Sequence, residues 1–370
     1  MEKRKNILLI TSDQQHWCTL GILNPEIQTP NLDRLAAKGI LFERAYTCNP
    51  TCTPTRASII TGQYPSQHGA YSLGTKLPEE VHTVGEDFHE AGYKSALIGK
   101  AHFQQLLDHP DYPSIESNPL QQDLDFWRNF SGHFYGFDHV ELCRNHTNEF
   151  HAGQHYGIWM EDKGLTQWRK YFKTFPDFGG NDDQLTWTLP EEYHYDAWIA
   201  ERTNAFMQEY HDNDENFFLW ASFPDPHPPY LIPEPWASMY DPEKITVPQM
   251  VEGEHDKNPP HFQMTQEDNP DFSSYDEPEG HGLHGCSSHK IVLTDINKKI
   301  AVYYGMVSMM DKYIGKILDK LEDLGLEQDT VVVFSTDHGH FFGQCDHRVQ
   351  IFLIVLKILD MADTAVFQQP

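Results

Sequence analysis

Two apolar, β-branched runs near opposite ends of the chain constrain the fold most: Ile7-Leu8-Leu9-Ile10-Thr11 and Thr330-Val331-Val332-Val333-Phe334-Ser335. Neither alternates apolar with polar side chains, so a strand built from either must be covered on both faces. That requirement points to a largely parallel sheet between layers of helices. Each run also ends in a polar cluster, Ser12-Asp13-Gln14-Gln15 in the first and Thr336-Asp337-His338-Gly339-His340 in the second. Parallel strands present their carboxyl ends along one edge, where α/β proteins place their sites.

The intervening chain alternates in the way such a sheet needs. Residues 29–39 carry a threonine at the N-cap, Pro30 at the first helical position, leucines at helical spacing and a terminal glycine. Residues 40–46 read as a strand leading toward Cys52, 83–92 as a second capped helix, and 93–98 as a strand ending in Gly99-Lys100-Ala101-His102. A helix over 195–210 precedes an apolar strand over 216–223, which runs into Pro224-Asp225-Pro226-His227-Pro228-Pro229-Tyr230, a loop that its prolines hold out of regular pairing. A long helix over 295–324 carries Ile300, Tyr303, Tyr304, Val307, Met310, Ile314, Ile317 and Leu321 on one stripe. The expected architecture is α/β in three layers, a central mostly parallel mixed sheet flanked by helices.

Periodicity fades over 108–190, read as an irregular insertion that shapes a substrate pocket, with some helix near 165–172; Arg144, His151, His155 and Trp159 are its plausible lining. Residues 247–291 form a polar insertion rich in Pro, Asp, Glu and His. His281, His284, Cys286 and His289 sit there at spacings that match no familiar zinc pattern and read as a glycine-rich loop.

The chemistry gathers around Asn49-Pro50-Thr51-Cys52-Thr53-Pro54-Thr55-Arg56, followed by Thr61-Gly62. Pro54 suits a first helical turn and Gly62 a helix exit, so a short helix begins near Pro54 with Cys52 just before it. Its amide end faces an anion held at Cys52, and Arg56 lies within a turn. The bland alternative is a buried cysteine at a helix start. Hydrophobic strands end at Asp13-Gln14, at Lys100 and His102, at His227 and at Asp337-His338. Two carboxylates, an amide oxygen and an imidazole around a helix-cap residue make a divalent cation site next to a nucleophile.

In this order the motifs resemble those of the sulfatases, within the alkaline phosphatase superfamily: Asp13-Gln14, Cys52-x-Pro54-x-Arg56 with Thr55 for the usual serine, Gly99-Lys100-x-His102, Pro226-His227-x-Pro229-Tyr230 and Asp337-His338-Gly339. The resemblance covers residues 6 to about 344. It implies that Cys52 is converted to formylglycine by a maturation enzyme, and that Asp13, Gln14, residue 52, Asp337 and His338 bind Ca2+, with Mn2+ or Zn2+ the alternative that a histidine ligand admits. It implies further that Arg56 and Lys100 steady the hydrated aldehyde, that His102 takes a proton from it, and that His227 contacts the sulfate or protonates the leaving alcohol. The implied reaction is hydrolysis of a sulfate ester, of sulfated carbohydrate or aryl sulfate type, through a covalent intermediate that releases sulfate. Gln14 and His338 also resemble the phosphonate monoester hydrolase and phosphodiesterase branch, and an inactive binding protein is a third possibility.

That third reading has a motive past Gln344. The family continues to another active-site lysine and a smaller C-terminal subdomain; here position 350 is glutamine and an apolar run over 349–356 precedes the last residue, Pro370. The expectation is a catalytic domain over 1–344, an aberrant tail over 345–370 and no small C-terminal subdomain.

Charge narrows the partners. Lys and Arg number 27 against 55 Asp and Glu, a net −28, which repels nucleic acid and anionic membranes. The six cysteines show no Cys-x-x-Cys pair, so neither a zinc knuckle nor a disulfide framework is expected. The N-terminus enters a buried strand without a leader-like segment, so a cytoplasmic protein is expected.

Overall fold

The computed structural model describes residues 4–105, 108, 113–144, 151–172, 186–248, 253, 256, 260–264, 267–273 and 296–342, and the backbone of 351–357. In chain order the elements are β1 (Asn6–Ser12), α1 (Pro30–Ala37), β2 (Ile40–Tyr46), α2 (Cys52–Thr61), α3 (Pro65–His68), α4 (Val84–Glu90), β3 (Lys94–Gly99), α5 (Leu124–Asn129), β4 (His139–Leu142), α6 (Gln154–Asp162), α7 (Tyr195–Asp212), β5 (Phe217–Ser222), α8 (Pro260–Met264), α9 (Ile296–Asp323), β6 (Thr330–Thr336) and β7 (Ile351–Lys357). Among the described residues the strands form one sheet in the order β2-β7-β6-β1-β5-β3-β4. Strands β6, β1, β5, β3 and β4 pair in parallel, and β7 runs antiparallel between β2 and β6.

The unbroken apolar runs are explained by what lies on each side of them. Leu8 and Ile10 of β1, with Val332 and Phe334 of β6, pack into one core with Leu32 and Leu35 of α1, Trp198 and Met207 of α7 and Met306 and Met310 of α9. Ile7 and Leu9 face the other way, against a second core holding Ala57 and Ile60 of α2, Trp127 of α5, and Phe218 and Trp220 of β5. Successive residues of a strand thus feed opposite cores, and the expected three-layer α/β sandwich with a mostly parallel mixed sheet is present.

Local signals met tertiary ones at the caps. Thr29 occupies the N-cap of α1 but makes no side-chain cap bond; its hydroxyl is taken by Asp33 and by the amide of Gly21. The first amides of α1 are capped instead by Asp311 of α9, which accepts from Asn31 N at 3.1 Å and Leu32 N at 2.7 Å. Helix α2 starts at Cys52 itself, two residues before the expected proline start, and ends as expected on Gly62 in the left-handed region (φ 65°).

The stretch 108–190, expected to be irregular, contains α5, β4 and α6 among its described residues. Helix α5 and strand β4 are 6 and 4 residues long and carry no cap-and-glycine signature, and α6, 9 residues long, has Gly153 at its N-cap and Gly157 inside it, so nothing in the sequence announces it. The apolar run over 349–356 overlaps β7 (Ile351–Lys357), a strand of the main sheet. His281, His284, Cys286 and His289, and residue 350, lie outside the described residues.

Candidate active site

The carboxyl ends of the parallel strands and the first turn of α2 enclose a buried cluster. Cys52 Sγ lies 3.2 Å from His338 Nε2 and 3.6 Å from Asp13 Oδ1. His338 Nε2 in turn lies 3.7 Å from Asp13 Oδ1 and 3.8 Å from Asp337 Oδ1. One donor atom from each of Asp13, Cys52, Asp337 and His338 falls within 4.8 Å of the others, and all are buried. Carboxylate, imidazole and sulfur atoms converging at this distance fit a small divalent cation.

The electrostatics of the cluster favour positive charge. Burial works to raise the pKa of Asp13, but Lys100, Arg56 and His338 outweigh it and hold the carboxyl below its usual value. Burial likewise works against protonated His338, yet Asp337, the Cys52 sulfur and Asp13 push its pKa up to about 10. In the absence of a cation the negative cluster keeps a proton on this imidazole.

Lys100 reaches the cluster because β3 ends on Gly99. That glycine has φ +111°, and a Cβ on it would meet Ser222 O of β5 at 1.9 Å. The close approach lets Lys100 N bond Ser222 O at 2.9 Å. Lys100 Nζ then pairs with Asp13 Oδ2 and lies 3.9 Å from Cys52 Sγ.

Arg56, expected beside the sulfur, spends two of its nitrogens on the protein. Nε donates to Asp337 Oδ2 at 2.8 Å, and Nη1 to Lys100 O at 2.7 Å and Ser222 Oγ at 2.8 Å. Its charge therefore supports Asp337 and the Lys100 turn as well as facing the cluster.

The backbone turns beyond Lys100, where His102 has φ +56°. A residue with no sequence signal enforces this turn: the buried carboxylate of Glu116 accepts the amides of His102 at 2.6 Å, Phe103 at 2.9 Å and Gln104 at 3.0 Å. Burial, with Lys100, Arg144 and Arg56 nearby, drives the pKa of His102 well down, so its ring is neutral. His227 is also held neutral, by burial and by Lys100. Its Nδ1 donates to Pro228 O at 2.6 Å, which makes Nε2 the nitrogen available for proton exchange.

Of the other lining candidates, Arg144 is buried with Nη1 donating to Glu116 O at 2.6 Å. Its cation acts on His102 and on His151, whose pKa burial first and Arg144 next lower to about 3. His155 and Trp159 are not brought to the site. His155 accepts Leu142 N at 2.9 Å and donates to Phe130 O at 2.7 Å, while Trp159 donates to Glu201 at 2.9 Å.

Gln14 has φ +61°; its amide N donates to Asp337 Oδ1 at 3.0 Å, and its side-chain nitrogen meets His340 Nδ1 at 2.8 Å. Behind the cluster lies a second buried group that sequence reasoning missed, His194, Asp196 and Asp225. Asp225 O accepts Asp13 N at 3.0 Å, and its carboxylate accepts from Tyr195 OH. Burial pushes the pKa of Asp225 up to about 7, against hydrogen bonds from Tyr195 and Asp196, and burial with the Asp225 charge raises that of Asp196 well above its ordinary value. The pair therefore carries a proton and ties the 224–230 loop to α7.

A buried carboxylate–imidazole–sulfur cluster, framed by buried cations, thus sits at the strand ends of a mostly parallel α/β sheet of the alkaline phosphatase-like kind. The chain belongs to the sulfatase family, whose profile matches residues 5–352. It is similar to the uncharacterized sulfatase YidJ of Escherichia coli strain K12, 27% identical over 348 residues, 92% of this chain and 58% of that protein. It is likewise similar to an arylsulfatase of Clostridium perfringens, 28% identical over 360 residues, 93% of this chain and 64% of that one. Among solved structures, the phosphonate monoester hydrolase SpPMH of Silicibacter pomeroyi superposes with a TM-score of 0.70 at 24% identity, covering 95% of this chain and 68% of that one. The chain thus spans less than two thirds of the length of these curated relatives.

Proposed function

We propose that this chain hydrolyses a sulfate ester, of sulfated carbohydrate or aryl sulfate type, with residue 52 acting as formylglycine beside a divalent cation. The observation that carries this reading is the convergence of Cys52 Sγ with Asp13, Asp337 and His338 within 4.8 Å, with Lys100 Nζ 3.9 Å from the sulfur. Asp13, Gln14, Asp337 and His338 would hold the cation together with residue 52. We assign Ca2+, with Mn2+ or Zn2+ the alternative that the His338 imidazole favours. When bound, the cation supplies charge that offsets the oxygens of the transferring group. Formylglycine, once hydrated, supplies an oxygen nucleophile that the thiol does not.

The remaining roles fall to side chains already placed. Lys100 and Arg56 add fixed positive charge in a dry site, where it counts most against the developing anion. His102, kept neutral by burial and its cationic neighbours, is in the form that accepts a proton. His227 exchanges its proton at Nε2, because Nδ1 is committed to Pro228. An arriving sulfate group raises its pKa and readies it to protonate the leaving alcohol.

Hydrolysis of a phosphonate monoester or phosphodiester is the second reading. Gln14 and His338 support it, because they resemble the residues of the phosphonate monoester hydrolase and phosphodiesterase branch at these positions. Mass spectrometry of the peptide carrying residue 52, from protein made in its native host, tests the first requirement; an unmodified thiol there would leave only the binding-protein reading. Side-by-side kcat/KM on an aryl sulfate and an aryl phosphonate ester decides the rest. A much higher value on the phosphonate reverses the ranking.

A further inference from the structure

Resting on the cation site proposed above, we propose that His340 is a positioning residue that sets which end of the Gln14 side-chain amide faces the cation. A carboxylate ligand is an oxygen at either end and needs no such control. An amide has an oxygen and an NH2 group of similar shape, and only the oxygen can bind a cation.

Among the described residues, Gln14 is held at its backbone N, its carbonyl and its side-chain nitrogen, and its amide oxygen has no hydrogen-bond partner. Its backbone N donates to Asp337 Oδ1 at 3.0 Å, and its carbonyl accepts Tyr303 OH at 2.7 Å, a hydroxyl that also receives His16 N at 2.8 Å. Its side-chain Nε2 lies 2.8 Å from His340 Nδ1, and His340 Nε2 lies 2.5 Å from Tyr230 OH. The imidazole is clamped in plane: Tyr303 stacks on it at 5.4 Å between centroids with 16° between planes, and Phe342 meets it edge-on at 5.4 Å and 83°.

The tautomer of His340 decides the outcome. With the proton on Nε2, the ring donates to Tyr230 and offers the Nδ1 lone pair to the Gln14 NH2 group, which leaves Gln14 Oε1 as the end open to the cation. With the proton on Nδ1, the ring would attract Oε1 and turn the NH2 group toward the cation, opposing binding. The observed pairing of Gln14 nitrogen with Nδ1 is the first of these. Tyr230 comes from the proline-bound loop that carries His227, so one ring links that loop to the cation ligands.

The test is calorimetric titration of Mn2+ and of Ca2+ into the full-length chain after chelator stripping, so that no turnover is involved. His340→Ala is expected to weaken the cation about tenfold, at the lower end of what partners of metal ligands contribute. His340→Asn, whose Oδ1 can replace Nδ1 as acceptor, should restore most of that loss, which a merely structural role would not predict. Gln14→Leu should weaken binding by itself and make His340→Ala silent in the double variant. Wild-type affinity in His340→Ala, or an undiminished His340→Ala effect in the Gln14→Leu background, overturns the positioning role while leaving the cation site standing. Wild-type affinity in Gln14→Leu removes Gln14 from the ligand set and the proposal with it, and no binding to the unsubstituted chain refutes the cation reading itself. Should His340→Ala fail to fold, Tyr230→Phe deletes the partner that holds the tautomer and is expected to weaken the cation in the same direction; unchanged affinity there overturns the proposal.

Discussion

Arg56 Nε donates to Asp337 Oδ2 at 2.8 Å with both side chains shielded from solvent. An ion pair at such depth holds two charges that neither could bear alone. Arg56→Met leaves the Asp337 carboxylate buried without its partner and is expected to destabilise the fold by about 3–5 kcal/mol. Arg56→Lys should recover only part of this, since one ammonium cannot reproduce the fork that serves Asp337, Lys100 O and Ser222 Oγ. Urea unfolding of the variants measures both.

Gly99→Ala tests the strand junction that places Lys100. The added methyl would sit on Ser222 O, at a φ of +111°. A loss of about 3 kcal/mol is expected, together with a fall in cation affinity as Lys100 and Asp13 shift. A variant with wild-type stability would show that β3 and β5 can part at no cost.

The cation should displace a proton. With Cys52 unmodified, His338 has its pKa pushed up to about 10, so at neutral pH the imidazole is charged before the cation arrives. Affinity is then expected to rise about tenfold per pH unit between pH 7 and 9. Calorimetry in buffers of different ionisation enthalpy should report close to one proton released. The same raised pKa stabilises the cation-free fold most below the unfolded value near 6.5, and that contribution is lost as pH climbs through 10.

Acid stability should depend on Glu141, far from the cluster. Burial works to raise its pKa, but His139 and the two-pronged Arg202 contact, at 2.8 and 2.9 Å, lower it to about 2. A depressed carboxylate contributes stability that is complete above its unfolded value near 4.5 and vanishes as pH falls through 2. Glu141→Gln should flatten that acid limb, whose size is on the order of 3 kcal/mol. Chemical unfolding at pH 6, 4 and 3 checks it.

What the sequence made legible follows from length and locality. β1, β6, α7 and α9 carry runs or stripes long enough to declare themselves, and the residues at the strand ends could be read as one edge once the sheet was taken as parallel. The short α5 and β4 carry no such run, and α6 no strong one. The features missed are those whose partners lie far along the chain. Asp311 caps a helix that starts at Pro30, His340 meets Gln14, and Asp225 meets Asp196 across an intervening helix and strand. Glu116 is a single acid in an unpatterned stretch, and only the folded turn shows that it collects the amides of residues 102–104.

The pairing of Asn6 with Thr330 in adjacent central strands sets a clock on biosynthesis. His338 reaches Cys52 only after 286 further residues have been added, and in the finished fold Cys52 is 4% exposed. At ordinary translation rates the segment around Cys52 waits on the order of tens of seconds for this partner. If residue 52 is converted as proposed, the converting enzyme would have its opportunity on the growing polypeptide, because the finished fold shuts the Cys52 thiol away.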